Sequence, residues 1–323
     1  MRVRLVVDAN CDLPQSFIDE NDILILPSSL RLESEIIQDF RDPEDMRKLY
    51  RSGRLSKAYD AESIPLSIDG VREIFLENVV CQYDFAVIQT MMKERSPIFD
   101  NVESAMRQVI TSYRDRRQQA GREAPFSVRA VDTRTLFSGQ GVIAAETARL
   151  ISENVGRQEL RKQVGDLTTS VHNYAVVQDV YYFRNRTRRW GDASVNLLAA
   201  VIGKAINICP ILYAHGGKTG PVTAALGFES AVRKLFSYAE RRIEKGLLSP
   251  YVCLSYAGDD SDIPHLPGFD RLLRTATANG VVLMTCMMST SGGAVNLGPK
   301  AVNLALCAEP HGFSSFDAQS IAR

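Results

Sequence analysis

The sequence predicts an α/β protein of two domains. A mainly parallel sheet with flanking helices comes first, and an α+β domain with a mixed or antiparallel sheet follows. Three observations carry this reading. Short apolar runs such as Leu5-Val6-Val7 and Phe85-Ala86-Val87-Ile88 alternate with helical patterns through the first half, as βαβ units do. In the second half, two apolar runs flank Gly216-Gly217-Lys218-Thr219-Gly220 and read as a hairpin. The 323 residues are enough for two domains, at ~150 residues each.

Each element follows from local chemistry. Arg4–Val7 is a strand that ends in Asp8 and a turn, which delivers a carboxylate to the carboxyl edge of a parallel sheet. Asp12 suits a helix N-cap, with Pro14 in the first turn. Ile23–Leu26 is a second strand, closed by Pro27, Ser28 and Ser29. Asp42-Pro43-Glu44-Asp45 starts a helix with an N-cap, a proline at N1 and early acids. Ile68–Val79 is an amphipathic helix, Phe85–Gln89 a buried strand and Val102–Ala120 a charged helix. Phe126–Val131 is a strand, followed by Asp132 and a glycine-bearing turn into a helix at Val142–Asn154.

Beyond that point the pattern changes. Leu160–His172 is helical over most of its length, Ala175–Tyr182 is strand-like, and Leu197–Asn207 is a helix of small residues. Pro210–Ala214 and Val222–Ala225 form the hairpin, and Ala231–Lys245 is a long amphipathic helix. A strand at Tyr251–Tyr256, a helix at Pro267–Ala278 and strands near Val281–Met287 and Val302–Ala308 complete the chain. Domains are expected at 1–165 and 166–308, with a polar terminal extension at 309–323.

Composition narrows the function. Lysine plus arginine balance aspartate plus glutamate at 38 each, which argues against a general nucleic-acid or anionic-membrane binder. The chain enters a strand with no basic-then-apolar leader. Its most apolar long stretch, Val195–Ala214, is interrupted by Asn196, Lys204, Asn207 and Pro210, short of the ~20 apolar residues of a membrane helix. Cys11, Cys81, Cys209, Cys253, Cys286 and Cys307 form no C-x-x-C pair and read as buried, reduced thiols of a cytoplasmic protein. His172, His215, His265 and His311 form no H-x-x-x-H pair, so no metal site is expected.

Gly139-Gln140-Gly141-Val142-Ile143-Ala144 matches G-x-G-x-x-A. It lacks the direct strand-to-glycine junction and the later strand-end acid of a dinucleotide fingerprint, so the glycines are read as letting a loop enter a helix. Gly217-Lys218-Thr219 ends like a P-loop, but Leu212 stands where the earlier glycine belongs. Arg184, Arg186, Arg188 and Arg189 lie between Tyr181-Tyr182-Phe183 and Trp190. They make either a solvated loop or an anion site, and net neutrality disfavours RNA stacking. Ser28, Ser29, Ser63, Thr90, Ser96, Thr133, Thr135 and Ser138 lie near strand ends. They serve turns singly, or jointly hydrogen-bond one polar head group.

The opening Val7-Asp8-Ala9-Asn10-Cys11-Asp12-Leu13-Pro14 resembles the V-D-S-x-x-D-L-P signature of the DegV family, whose members bind fatty acids. The resemblance runs from about residue 3 to about residue 308. It includes Ile25-Leu26-Pro27, the Asp39–Asp42 segment and Val131-Asp132-Thr133 through Ser138-Gly139-Gln140-Gly141. It continues in Ile206-Asn207-Ile208-Cys209-Pro210-Ile211-Leu212 and in Gly216–Val222. The family T-S-Q-P-S is matched by Glu62-Ser63-Ile64-Pro65-Leu66, which keeps Ser63 and Pro65. Its S-S-x-L-S-G-T-Y is matched by Met92–Phe99, which keeps Ser96. Its Y-L-x-x-G-G-R-I is similar to Tyr182–Arg188, with Arg188 in the arginine place. Its H-x-G-P-G-A is similar to Asn296–Ala301, with asparagine for histidine.

The resemblance implies a DegV-like two-domain fold. It implies a non-enzymatic carrier with a long-chain fatty acid's tail in an apolar tunnel and its carboxylate near the domain junction. By position, Ser63, Ser96, Arg188, Asn296 and Gly298 would contact the carboxylate, with Glu62, Arg186 and Asp8 behind them. Glu62 would repel a carboxylate unless it turns away or pairs with an arginine such as Arg186. Bound fatty acid is the only ligand implied, with no cofactor, and a fatty-acid kinase is the protein partner the family allows. The alternatives are an enzyme of the dihydroxyacetone-kinase-like fold, which would need a histidine for covalent substrate binding, and a relative that has shifted to another anion, such as an acyl phosphate.

Overall fold

The computed structural model describes residues 1–39, 41–57, 61–188 and 207–313. The first half builds a four-stranded, all-parallel sheet in the order β2-β1-β6-β7. Its strands are β1 (Val3–Asp8), β2 (Leu24–Leu26), β6 (Phe85–Thr90) and β7 (Ser127–Asp132). Every residue of β6 is buried, as a central parallel strand covered on both faces must be. The chain leaves β1 toward β2 on one side and returns as β6 on the other. This reversal makes the carboxyl ends of β1 and β6 the switch point of the sheet.

Between β2 and β6 the chain makes an excursion that the sequence pattern did not reveal. Strands β3 (Ser28–Leu32), β4 (Glu35–Asp39) and β5 (Glu62–Ile64) form a small antiparallel sheet. Helices α2 (Pro43–Arg51) and α3 (Arg54–Lys57) accompany it. These strands are five residues or fewer; β3 buries Ser28, Leu30 and Leu32 on alternate positions, but β4 and β5 are mostly exposed and carry little hydrophobic period. The α2 start is as the sequence predicts: Asp42 accepts from the amides of Glu44 and Asp45, with Pro43 in the first turn.

Helix α1 (Gln15–Glu20) is different. Pro14 precedes it with no side-chain cap, so Asp12 is not the N-cap its position implied. Its carboxylate is drawn away by Arg41 instead, at 3.0 Å. Helices α4 (Ile68–Asn78) and α5 (Ile98–Gln119) cover one face of the parallel sheet, burying Val71, Phe75, Val102, Met106 and Val109. Helix α6 (Ser138–Ser152) packs against β1 and β6, and also against β8, β11 and β13 of a second sheet. Twelve of its residues are therefore buried. The expected cut at residue 165 falls inside α7 (Arg157–Ser170).

The second sheet has the order β10-β9-β8-β13-β11-β12. It comprises β8 (Val171–Val176), β9 (Ile208–His215), β10 (Lys218–Leu226), β11 (Tyr251–Tyr256), β12 (Val282–Met287) and β13 (Val302–Cys307). Only β11 and β12 run parallel, so the sheet is mixed. The predicted hairpin is β9–β10, with Gly216 and Gly217 at φ +59° and +79° in its turn. Helices α9 (Phe228–Lys245) and α10 (Phe269–Ala278) close this core around Leu235, Phe236, Tyr238 and Leu272.

Two expected elements are displaced. The strand read at Ala175–Tyr182 is Val171–Val176, and Val180–Arg188 is helix α8 rather than strand and loop. Tyr182 and Phe183 share α8 with the arginines, and their helical spacing was masked by the run of aromatic residues. Trp190 and the stretch 197–206 of the expected small-residue helix lie outside the described residues. The segment after β13 is not simply a polar tail as far as it is described: Phe313 is 2 % exposed and packs on Tyr174 and Tyr238.

Candidate functional site

The end of β1 is a buried polar joint. Asp8 accepts from the amides of Asn10 (2.8 Å) and Met91 (2.7 Å), tying β1 to the end of β6. Asp12 is 0 % exposed and Arg41 4 %. The Arg41 guanidinium also donates to the carbonyls of Ala9 and Cys11, and the amide of Ser289 donates to Asp12 at 2.9 Å. Asp39 accepts from the Thr290 hydroxyl and the Ser291 amide, and Ser28 bonds Ser291. Burial pushes the Asp8 and Asp12 carboxyls above the usual carboxylate range, and the bonds around them oppose this only in part. The two aspartates of the N-terminal signature are thus spent on holding β1, β3–β4 and the π-helical turn Thr290–Ala294 together.

The loop from β7 to α6 is shaped by the same joint. Phe137 takes φ +47°, ψ −115° and is buried. Such a conformation costs ~1–3 kcal/mol and persists only where neighbours enforce it. The carbonyl of Phe137 accepts from the amides of Asp12 and Gly141. A Cβ on Gly141 would collide with the Asp12 carbonyl, so this glycine permits close approach rather than phosphate binding.

Beside this joint lies a cleft with about 820 Å³ of empty space, mouth included. Met91, Leu136 and Phe137 of the first half face Tyr174, Ala175, Phe183, Leu212, Tyr213 and Leu297 of the second, and most of the wall is apolar. Polar groups are few: Arg95, Thr219, Asn173, Asn296 and Asn303. Strand register gives the cleft two ends. Thr219 pairs with Ala214, which pairs with Asn173, while Pro221 pairs with Leu212, which pairs with Ala175. Arg95 donates to the Thr219 hydroxyl at the first end. Phe183 and Leu297 belong with Ala175 and Leu212 in one apolar cluster at the second.

The candidate residues scatter around this cleft. Asn296 lines it, and its amide donates to the Gly292 carbonyl at 2.6 Å. Gly298 has φ +89°, and Tyr182 packs so close that a Cβ would lie 2.9 Å from its ring. Ser63 is half-buried on β5, opposite Leu30. Ser96 accepts from the Ile98 amide at 3.3 Å, which is the turn role open to any loop serine. Arg188 closes α8, but its side chain lies outside the described residues. Arg186 is buried and donates to the Ala61 carbonyl. Glu62 does not turn to Arg186: it is exposed and paired with Arg31 across β3–β5. Asp8 supports β6, as above.

The histidines bring a second surprise. His172 and His215 stack with ring centroids 4.7 Å apart, next in sequence to the Asn173–Ala214 pair at one end of the cleft, and His311 lies tilted against His172 at 4.0 Å, although the three lie on β8, on β9 and after β13. None lines the cleft. Cys11, Cys209, Cys253 and Cys307 are buried, Cys81 and Cys286 are half-buried, and all six are free thiols. No helix among the described residues is long and apolar enough to cross a membrane.

The described residues form an α/β protein in which a parallel sheet and a mixed sheet meet beside an apolar cleft with a few polar groups. The chain belongs to the DegV family, whose model, described as "Uncharacterised protein, DegV family", matches residues 2–309. A DegV domain-containing protein of Xanthomonas campestris pv. campestris is 38 % identical over 315 residues, 98 % of this chain and 100 % of that one. One from Clostridium acetobutylicum is 21 % identical over 311 residues, 95 % and 99 % of the two chains. Among solved structures, a DegV family protein from Thermus thermophilus described as fatty-acid binding superposes with a TM-score of 0.73 at 18 % identity. It covers 96 % of this chain and 100 % of its own. A stearic-acid-binding protein from Eubacterium ventriosum gives 0.71 at 14 % identity, over 97 % and 100 %.

Proposed function

We propose that this protein binds a long-chain fatty acid and acts as its carrier, with the acyl tail in the apolar cleft and the carboxylate near the junction of the two sheets. The observation that supports it best is the cleft itself: a mostly apolar wall, contributed by both halves of the chain, beyond the carboxyl ends of β6 and β7. Burying the tail would supply ~0.8 kcal/mol per CH₂, enough to dominate affinity. The fatty acids named for the structural neighbours point the same way. On this reading residues 1–165 and 166–308 act as two domains meeting at the cleft, and a fatty-acid kinase is the partner to test for acyl hand-over.

An enzyme of the dihydroxyacetone-kinase-like type has less support. Its covalent chemistry needs a histidine facing substrate, and the described lining contains none. The test is native mass spectrometry of the purified protein, followed by solvent extraction and identification of the released ligand. A co-purifying long-chain fatty acid is expected. A protein that emerges empty and also ignores added palmitate would refute the carrier function.

A further inference from the structure

The β9–β10 hairpin supplies one wall of the cleft, through Leu212, Ala214, Thr219 and Pro221. Its tip is clasped by the loop after β7. The Gly217 amide donates to the Arg134 carbonyl at 2.9 Å, and the Arg134 guanidinium donates to the Gly216 carbonyl at 3.0 Å. The Thr135 hydroxyl donates to the Ala214 carbonyl at 3.1 Å. Arg134 takes φ +56°, which a non-glycine residue holds only where neighbours enforce it.

The root of the same hairpin is built on imidazoles. His215 ends β9 next to Gly216, and its Nδ1 donates to the Val171 carbonyl of β8 at 2.6 Å. Its ring lies flat on His172, and His311 tilts against the other side. Side chains alternate across a strand, so His172 and His215 face α9 while their neighbours Asn173 and Ala214 face the cleft. The His172 Nε2 is buried without a partner. Around the stack stand Arg242 and Tyr238 of α9, Tyr174 of β8, and Lys218, which lies opposite His215 on β10. Glu309 meets His311 through its carbonyl. Among the described residues no carboxylate bonds the ring of His172 or His215. The Ala308 carbonyl favours a proton on His172, but burial, then His311, His215 and Arg242, outweigh it.

We propose that the β9–β10 hairpin is the gate of the cleft and that acid opens it by protonating the His172–His215 stack at its root. This rests on the acyl-ligand reading above. Opening parts the end of β9 from β8, gives His172 access to water, and draws the tip off Arg134 and Thr135, so the Asn173–Ala214 end of the cleft is uncovered. The open form takes up a proton near His172's ordinary pKa of 6.5 and the closed form only near 3, so lowering the pH favours opening. From about pH 7.5 to about pH 5.5 the open-to-closed ratio rises about tenfold. The protein then keeps its ligand in neutral surroundings and releases it in mildly acidic ones.

The experiment is stopped-flow release of the fluorescent fatty acid cis-parinaric acid to excess albumin, with amide hydrogen exchange of the hairpin, for the full chain and its His172→Phe variant at both pH values. The titration of the fatty acid itself is common to both proteins and cancels in their ratio. On acidification the parent's release and hairpin exchange should each accelerate about tenfold more than those of His172→Phe. Equal responses in the two proteins would overturn the gate and leave the acyl-carrier function standing. Hairpin amides that exchange no faster than those of α5 would mean that only whole-chain unfolding frees the hairpin, and would overturn the gate too. A parent chain that takes up no parinaric acid at neutral pH would overturn both. Should His172→Phe misfold, the parent decides: its hairpin exchange, corrected for the intrinsic amide rate, rises about tenfold if acid operates the gate, and a flat profile refutes it.

Discussion

Lowering the pH should loosen this protein through a buried imidazole. His172 is 5 % exposed, stacks on His215 and lies tilted against His311. Burial, then the nearby His311, His215 and Arg242, hold its pKa down to about 3, from 6.5 in a free side chain. The unfolded chain therefore takes up a proton near pH 6.5 and the folded chain only near pH 3. Between these values the unfolded state binds more protons, so acid favours unfolding. The stability held by neutral His172 is complete above pH 6.5 and drains as the pH falls toward 3. The two values imply a loss of about 2 kcal/mol on going from about pH 7.5 to about pH 5. The buried Asp8 and Asp12, raised by desolvation, act in the opposite sense, and His311 is lowered in the same sense as His172. The useful quantity is accordingly a difference between variants. His172→Phe keeps the aromatic stack and removes the titration. Urea unfolding followed by circular dichroism at both pH values should show the parent losing about 2 kcal/mol more than His172→Phe. Equal losses in the two proteins would refute the reasoning.

Three further outcomes are expected. Arg41→Ala strands Asp12 in the core and should cost about 3–5 kcal/mol in urea unfolding, whereas the double change Asp12→Leu with Arg41→Met should be milder than the single one; a single variant within about 1 kcal/mol of the parent would show the pair to be dispensable. Gly141→Ala drives a methyl into the Asp12 carbonyl and should destabilise by about 1–3 kcal/mol. Gly165→Ala on α7 meets nothing within 4 Å and should stabilise by about 0.5–1 kcal/mol, so melting temperatures moving in the same direction would contradict the packing argument. Ala175→Phe fills the apolar end of the cleft and should lower palmitate affinity at least about tenfold in equilibrium dialysis without unfolding the protein; undiminished binding would place the tail elsewhere.

Much of the scaffold was open to local reading because local chemistry decides it. The buried run Phe85–Ile88, the Asp42-Pro43 helix start and the glycine turn after His215 each carry their cause within a few residues. The small sheet β3-β4-β5 was hidden, since its strands are short and its pairing and packing partners, including the Thr290–Ala294 turn, are distant in sequence. The α8 segment was misread because the aromatics Tyr181 to Phe183 favour a strand in isolation, while the buried slot that receives Tyr182, with its hydroxyl on the Val295 carbonyl, is far away in sequence.

The site divides along the same line. Sequence alone determined the family scaffold, the signature aspartates and the residue types available at each loop. Which of them face one another was decided by tertiary structure. Asp12 is a buried partner of Arg41 rather than a cap, because a charge without solvent takes the nearest opposite charge. Glu62 is paired with Arg31 through strand pairing that no spacing rule predicts. Arg95 acquires its place in the cleft only when the turn after β6 meets β10, 124 residues further along the chain. Contacts of such long range depend on how whole elements pack, and a one-dimensional pattern holds no record of the distance between them.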